Sequence, residues 1–263
     1  MLVCIKGAGD LASGIAVRLH RSRMAVVMTD LPVPLAVRRT VAFSEAIRLG
    51  VTTVEDIKAK RAENIDEVRK CLSEGIIPVI PDPEAGIFKE LAPEVIVDAI
   101  MAKKNTGPYM DEAPLVIAIG PGFTAGVDCD AVIETKRGHT LGRVIRKGSA
   151  IPNTGVPGLI GGETLNRLIK APSDGVFHPE REIGEVVKAG RRVGNVDGMP
   201  VLSMTEGLIR GMLQDGVPVT KGLKCGDIDP RGITVDYMTV SDKASAIGGG
   251  VLEAIMSYAG DRL

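Results

Sequence analysis

Glu134, Arg137 and His139 fall within six positions of one another in ETKRGHTLGRVI, directly after the apolar run Ala131-Val132-Ile133. A histidine beside a carboxylate is a candidate general acid–base pair, since imidazole titrates near neutral pH and the acid sets its tautomer. Arg137 adds a planar fork suited to a phosphate or a carboxylate. The plainer alternative has His139 capping a loop while Arg137 pairs with Glu134. His20, in a helical stretch, and His178, in a turn, offer less.

A second set of candidates opens the chain. Leu2 to Ile5 is apolar and runs into Gly7-Ala8-Gly9-Asp10-Leu11-Ala12, then the helical LASGIAVRLHRSR, then Ala25 to Met28 and Asp30. Strand, glycine turn, helix, strand and acid, with about twenty residues from glycines to acid, is the order of a dinucleotide fingerprint. In that reading Gly7 makes the tight turn and Gly9 admits a pyrophosphate at the helix start. Ala12 keeps helix and strand close, and Asp30 accepts from a ribose diol. The alternative is a turn that is only structural, and Asp10 would repel phosphate unless turned away.

The elements that must position these residues follow from apolar runs at 76–80, 95–97, 115–119 and 131–133, with helical stretches around 35–49 and 54–74. Runs bounded by Gly, Pro or Asp fit strands buried on both faces. Their polar ends, among them Thr29-Asp30, Asp98 and Gly120-Pro121-Gly122, would rim one cleft. The expected fold class is α/β, a Rossmann-like parallel sheet joined to a small β domain.

That β domain carries an internal repeat: Gly175, Gly184, Val187, Gly190, Gly194 and Val196 recur thirty-two residues later as Gly207, Gly216, Val219, Gly222, Gly226 and Ile228. The pattern resembles the barrel-sandwich hybrid of biotinyl and lipoyl carriers. The turn region 196–204 has no lysine, so a docking or scaffold role is expected rather than a covalent carrier. The expected domains are 1–145 for nucleotide binding, a junction at 146–170, the repeat at 171–232, and a C-terminal segment and helix at 233–263. Asn153-Thr154-Gly155 and Gly161-Gly162-Glu163 in the junction offer amides to an anion or serve as connectors. Asp227 and Asp229 suggest a cation only weakly, because an internal ion pair with Arg231 explains them as well, and no metal site is expected. Gly248-Gly249-Gly250 in the last helix implies either close packing or a helix starting there against a ligand.

Bulk composition narrows the partners. Lys and Arg number 32 against 33 Asp and Glu, a net charge of -1, and aromatics are 3% with no tryptophan. Neither nucleic acid nor a membrane surface is favoured. Four scattered cysteines, no signal peptide and no long apolar run give the expectation of a reduced, cytoplasmic protein.

Five segments together, IKGAGDLASGIAVRL, IGPGFTAGVD, ETKRGHTLGRVI, PNTGVPG and GLKCGDIDPR, resemble the accessory or maturation proteins of selenium-dependent molybdenum hydroxylases. The resemblance implies a Rossmann-like half related to chaperones of the molybdenum cofactor in enzymes of the xanthine dehydrogenase type. It implies a nucleotide-type ligand, either NAD or molybdopterin cytosine dinucleotide, on Gly7, Gly9, Ala12 and Asp30. Gly120, Gly122, Arg137 and His139 would then hold the anionic remainder. Its partner would be the apo molybdenum hydroxylase, to which the cofactor is delivered or on which it is modified. An NAD(P)-dependent oxidoreductase with His139 and Glu134 as its acid–base pair is the alternative, and a ligand-sensing scaffold the third.

Overall fold

Five residues, Leu2-Val3-Cys4-Ile5-Lys6, form the central strand of the larger sheet because their middle three side chains are buried on both faces. The computed structural model describes residues 1–102, 107, 109–153, 155 and 158–260. Thr154, part of the expected anion cradle, lies outside the described residues, as do Val156 and Pro157.

The chain divides into two units. The first comprises Met1–Pro34, Ala42–Thr154 and Val240–Leu263, and the second Leu35–Val41 and Gly155–Thr239. The expected junction at 146–170 is therefore shared between the units. Residues 35–41 join the second unit despite their early place in the chain, as do 233–239.

In the first unit the order is β1 (Leu2–Lys6), α1 (Asp10–Arg21), β2 (Ala25–Thr29), α2 (Glu45–Leu49), β3 (Val51–Val54), β4 (Ile57–Arg61), α3 (Ile65–Ser73), β5 (Ile77–Ile80), α4 (Phe88–Leu91) and β6 (Val95–Asp98). Then come β7 (Leu115–Ile119), β8 (Thr124–Ala125), β9 (Ala131–Ile133), β10 (Val144–Ile145), β11 (Gly148–Ser149) and, after the second unit, α5 (Asp242–Gly260). Nine strands make one sheet in the order β10-β9-β7-β6-β1-β2-β5-β4-β3. Its interior pairs are parallel, while β3 on β4 and β10 on β9 are antiparallel.

The expected Rossmann-type dinucleotide domain is corrected here to a mixed sheet. Among the described residues no helix lies between β6 and β7 or between β7 and β9. The stretch expected to be helical from 54 to 74 instead holds a hairpin, β3 and β4 joined across Glu55-Asp56, before α3 begins. Its β-branched, alternating residues VTTV and IKAKR favour strands, and Glu55 takes the left-handed φ of +54° that the tight turn needs.

α1 buries Ala12, Ile15, Ala16 and Leu19, spaced three, one and three apart so that they share one face. α5 packs on that helix through its glycines, which decides between the two readings of the triplet. A methyl group on Gly248 would meet the Gly14 carbonyl oxygen at 3.0 Å, and one on Gly250 would overlap the Gly142 carbonyl oxygen. At Gly248 and Gly250 close backbone approach thus offsets the roughly 1 kcal/mol that a glycine costs a helix, whereas a methyl on Gly249 would meet nothing within 4 Å.

The second unit consists of β12 (Leu168–Lys170), β13 (Gly175–Pro179), β14 (Val186–Val187), β15 (Arg192–Val196), β16 (Met199–Leu202), β17 (Gly207–Met212), β18 (Val217–Val219) and β19 (Lys224–Asp229). They form two four-stranded sheets, β12-β19-β17-β14 and β16-β15-β13-β18. The thirty-two-residue repeat maps β13, β14 and β15 onto β17, β18 and β19. The middle strand of each copy pairs with the other copy: β14 with β17, and β18 with β13. The exchange encloses one apolar core that includes Phe177, Val193, Val196, Ile209, Met212 and Ile228. The fold as found is this antiparallel pair of sheets and the mixed sheet, in place of the expected Rossmann-like domain with a barrel-sandwich-hybrid module.

Candidate functional site

The carboxyl ends of β1 and β6 lie side by side, Lys6 opposite Asp98. From β1 the chain moves to β2 on one side, while β6 lies on the other side of β1. Such a change of direction marks the usual ligand position in open α/β sheets, outside the strand ends. Gly7 turns the chain out of β1 with φ +96°, and a methyl there would meet the Ala99 carbonyl oxygen at 3.0 Å. Its amide donates to the Thr29 carbonyl at 2.8 Å. Ser13 ties the turn down, donating to the Ala8 carbonyl at 3.1 Å and accepting from the Phe43 amide at 2.8 Å. Gly9 is the N-cap of α1, and open space surrounds its α-carbon.

Asp98 is the most unusual group at these strand ends. Its side chain is 1% exposed, Oδ1 accepts from the Ile100 amide at 3.2 Å, and Oδ2 is buried without a hydrogen-bond partner. Burial pushes its carboxyl above the ordinary aspartate range, against the opposing pull of the Ile100 amide and Lys6. Lys6 is itself engaged by Glu112, Nζ to Oε2 at 2.7 Å. Such a shift favours the neutral form, in which a carboxyl can donate a hydrogen bond.

On the same unit, Lys243 sits in the first turn of α5, half-buried. Removal from water lowers its ammonium below the usual lysine range, and Arg137 acts in the same direction, while Asp10, Glu134 and Asp242 oppose. Neither Lys243 nor Lys6 stood among the sequence candidates. Lys243 is remote from the glycine turn in the chain, and only the packing of α5 on α1 brings it near Asp10.

The sequence candidates fare differently. Asp30 is not open to a ribose: Oδ2 accepts from the Ala8 amide and Oδ1 from the Leu31 amide, both at 2.7 Å. It closes the glycine turn upon itself, and burial raises its carboxyl. Ala12 is buried in α1 as a packing residue. Gly120 donates to the Ile133 carbonyl at 2.9 Å, and Gly122 lies exposed in the following turn.

Glu134 cannot serve His139 as a base partner. It is 2% exposed, Oε1 accepts from the Thr135 and Lys136 amides at 2.7 Å, and Oε2 accepts from the Ile151 amide at 2.8 Å. It is a loop anchor, and His139 is exposed. Arg137 makes a two-pronged pair with Asp242, its second nitrogen at 2.9 Å, fixing the start of α5 rather than bonding Glu134.

Three buried thiols are inert for the same reason. Burial pushes Cys129 up to about 12 and Cys225 up to about 11, and Cys4 higher still. Among the described residues no group of three or more His, Cys, Asp and Glu gathers closely enough to hold a metal ion, and no helix is long and apolar enough to cross a membrane.

In the second unit Asp227 and Asp229 are fully buried at the centre of a cationic cluster. Arg167 reaches Asp227 at 3.2 Å, Lys224 reaches it at 3.4 Å, and Arg210 binds both aspartates. Arg231 caps Asp229 at 2.8 Å, the internal ion pair read from the sequence. Burial alone would raise the Asp227 carboxyl, but Lys224, Arg210 and Arg167 together hold it below the ordinary range. Asp229 is likewise low, Arg231 and Arg210 outweighing its burial.

The two units should therefore respond to acid with opposite signs. Asp227 and Asp229 stabilise the fold above the unfolded aspartate value of about 3.9, and that stability is lost as pH falls through their lower folded values. Asp30 and Asp98 bind their protons more tightly in the folded state than in the unfolded chain, so their contribution is present at low pH and lost as pH rises through their raised values. Hydrogen exchange followed on both sides of about pH 3.9 is expected to show the amides of β17 and β19 losing protection as pH falls below it. The carboxylate-linked part of the protection in β1 and β6 should change in the other direction.

No protein-family model matches the chain. It is 49% identical over 255 residues to the uncharacterized protein YqeB of Escherichia coli (strain K12), covering 97% of this chain but 47% of that protein. The chain thus spans about half the length of the curated relative it matches. Among solved structures it has a likeness to an aspartoacylase family protein from Mesorhizobium loti, at 10% identity over 86% of this chain and 83% of that one, with a TM-score of 0.28. A succinylglutamate desuccinylase/aspartoacylase from Rhodobacter sphaeroides gives 15% identity, 86% and 84% coverage and a TM-score of 0.27. The ectoine utilization protein EutE (DoeB) from Ruegeria pomeroyi gives 12% identity, 81% and 61% coverage and a TM-score of 0.23.

These findings correct the earlier expectations. Neither the absence of a matching family model nor the uncharacterized relative supports them, so the molybdenum hydroxylase accessory role, its selenium-dependent apo-hydroxylase partner and the alternative NAD(P)-dependent oxidoreductase are withdrawn. NAD and molybdopterin cytosine dinucleotide are withdrawn as cofactors, in keeping with the self-closed turn at Asp30. With TM-scores this low, the structural likenesses define neither the fold nor the chemistry of this chain.

Proposed function

We propose that the first unit binds a small, oxygen-rich anionic metabolite in the crevice outside β1 and β6. The observation that supports this is Asp98, whose buried Oδ2 lacks a partner at the point where the sheet changes direction. As a neutral acid it would donate to a carbonyl or carboxyl oxygen of the ligand. The amino end of α1, open at Gly9, would take the negative charge, because its first amides point outward and the helix dipole is positive there. Desolvation of Asp98 makes this a dry, polar position in which acid–base chemistry is feasible.

Thermal denaturation of the whole protein against glyoxylate, pyruvate, succinate and inorganic phosphate tests the reading. At least one compound is expected to stabilise the protein, by about 2.7 kcal/mol at a hundredfold excess over its Kd. Asp98→Asn, which still offers a donor, should keep part of the response, and Asp98→Ala should lose it. Equal responses in wild type and Asp98→Ala, or none in either, would overturn the proposal.

A further inference from the structure

We infer that Lys6 binds a carboxylate of the ligand beside Asp98, that Glu112 is the chain's own stand-in for that carboxylate, and that the ligand is a short dicarboxylic acid. The inference rests on the preceding reading of Asp98 and names its substrate class.

Register places the amine. Lys6 and Asp98 are partners in the last pair of the parallel strands β1 and β6, so their side chains leave the same face of the sheet from strands about 4.8 Å apart. The Ala99 amide donates to the Lys6 carbonyl at 2.9 Å and fixes that register. Lys6 is the one charged residue of the central strand LVCIK, and its side chain is only 12% exposed. A cation so far from water needs a counter-ion. The chain supplies one from 106 positions away, with Glu112 Oε2 at 2.7 Å from Nζ. The carboxylate site is therefore built, and its occupant is a side chain.

Glu112 is suited to leave. It stands in the turn before β7, outside any helix or strand, and its side chain is 28% exposed. Asp98 is almost fully buried, so a ligand meets its unpartnered Oδ2 only after a neighbouring group moves aside. Exchange of one carboxylate for another conserves the ion pair on Lys6 while Glu112 turns to water, so the displacement costs little. The same exchange selects the ligand. A single carboxylate can lie at the amino end of α1 and leave Glu112 in place. A second one on the same molecule finds Lys6, the residue before the Gly7 turn that leads into α1, and competes with Glu112 for it.

Calorimetric titration of the full chain with malonate, succinate and glutarate tests this, each beside its monoamide, which keeps the shape and removes one charge. At least one dicarboxylate is expected to bind about tenfold tighter than its monoamide, and Lys6→Met should close that gap. Glu112→Gln weakens the internal competitor without changing its shape. It should tighten the dicarboxylate by roughly fivefold and leave the monoamide as in wild type. A purely structural ion pair predicts instead that both variants lower the melting temperature while the ratio of the two affinities stays fixed. That result, or a dicarboxylate affinity unchanged in folded Glu112→Gln, would overturn the inference. Glu112→Gln is read independently, so a misfolded Lys6→Met leaves the test standing. A gain in Glu112→Gln that persists when Asp98→Ala is added would sink the Asp98 reading alone. Binding lost in Asp98→Ala, with no preference for the dicarboxylate and no gain in Glu112→Gln, would sink the present inference alone.

Discussion

Asp227→Ala is expected to destabilise the second unit by about 3–5 kcal/mol, the range for removing one partner from a buried ion pair. The cost would come less from lost attraction than from what stays behind. Arg167, 4% exposed, would keep a buried charge with no counter-ion, and its Nε already lacks a hydrogen-bond partner. Arg210, which bonds Asp227 through two nitrogens, would be left with Asp229 alone. Arg231→Ala provides the contrast. Its side chain is half exposed, and Asp229 would keep both Arg210 and the backbone amide at position 231, so a loss of only about 1 kcal/mol is expected. Urea denaturation, with β17 and β19 followed by hydrogen exchange, separates the two. Similar losses in both variants would mean that the network is not organised around Asp227.

Glu134→Ala is the second large effect, expected to cost the first unit at least about 3 kcal/mol. A hydrogen bond to a charged group is worth about 1.5–3 kcal/mol, and three amides lose theirs at once, though not additively. The Ile151 amide matters most, because Glu134 is the tie between the end of β9 and the segment after β11. Glu134→Gln keeps one acceptor oxygen and should lose roughly half as much. Were Glu134 the base partner of His139 instead, Glu134→Gln would leave stability intact, and His139→Ala would mimic its effect on any activity. Denaturation midpoints of these three variants decide between an anchor and a catalyst.

What could be read in advance divides along physical lines. The strands β1, β5, β6, β7 and β9 correspond to continuous apolar runs, which water excludes from the surface whatever their neighbours are. The thirty-two-residue repeat was legible because the same turns recur, with Gly175 at φ +143° and Gly207 at +155° opening equivalent strands. The β3–β4 hairpin was missed because the helical reading of 54–74 passed over the alternation in VTTV and IKAKR. The rule of two glycines followed by an acid singled out Asp30, which accepts from the Ala8 amide of the glycine turn, but assigned it to a ribose. Sequence spacing cannot tell a carboxylate aimed at a ligand from one folded back onto its own loop.

Glu134 and Arg137 show the same limit. Their closeness in the chain suggested a shared site, whereas the fold spends each on a partner far away: Ile151 for one, Asp242 for the other. Asp98 was visible as the polar end of a strand, but its unpartnered oxygen depends on which backbone amides happen to face it. Lys243 gave no signal, because its significance arises from α5 returning, after the whole second unit, to lie on α1.

The most direct test of the crevice is a crystal structure of the protein soaked with glyoxylate or pyruvate at saturating concentration. The account predicts ligand density with an oxygen within hydrogen-bond distance of Asp98 Oδ2 and a carboxylate at the amino end of α1. Density only at other positions, or an empty crevice at saturation, would contradict it.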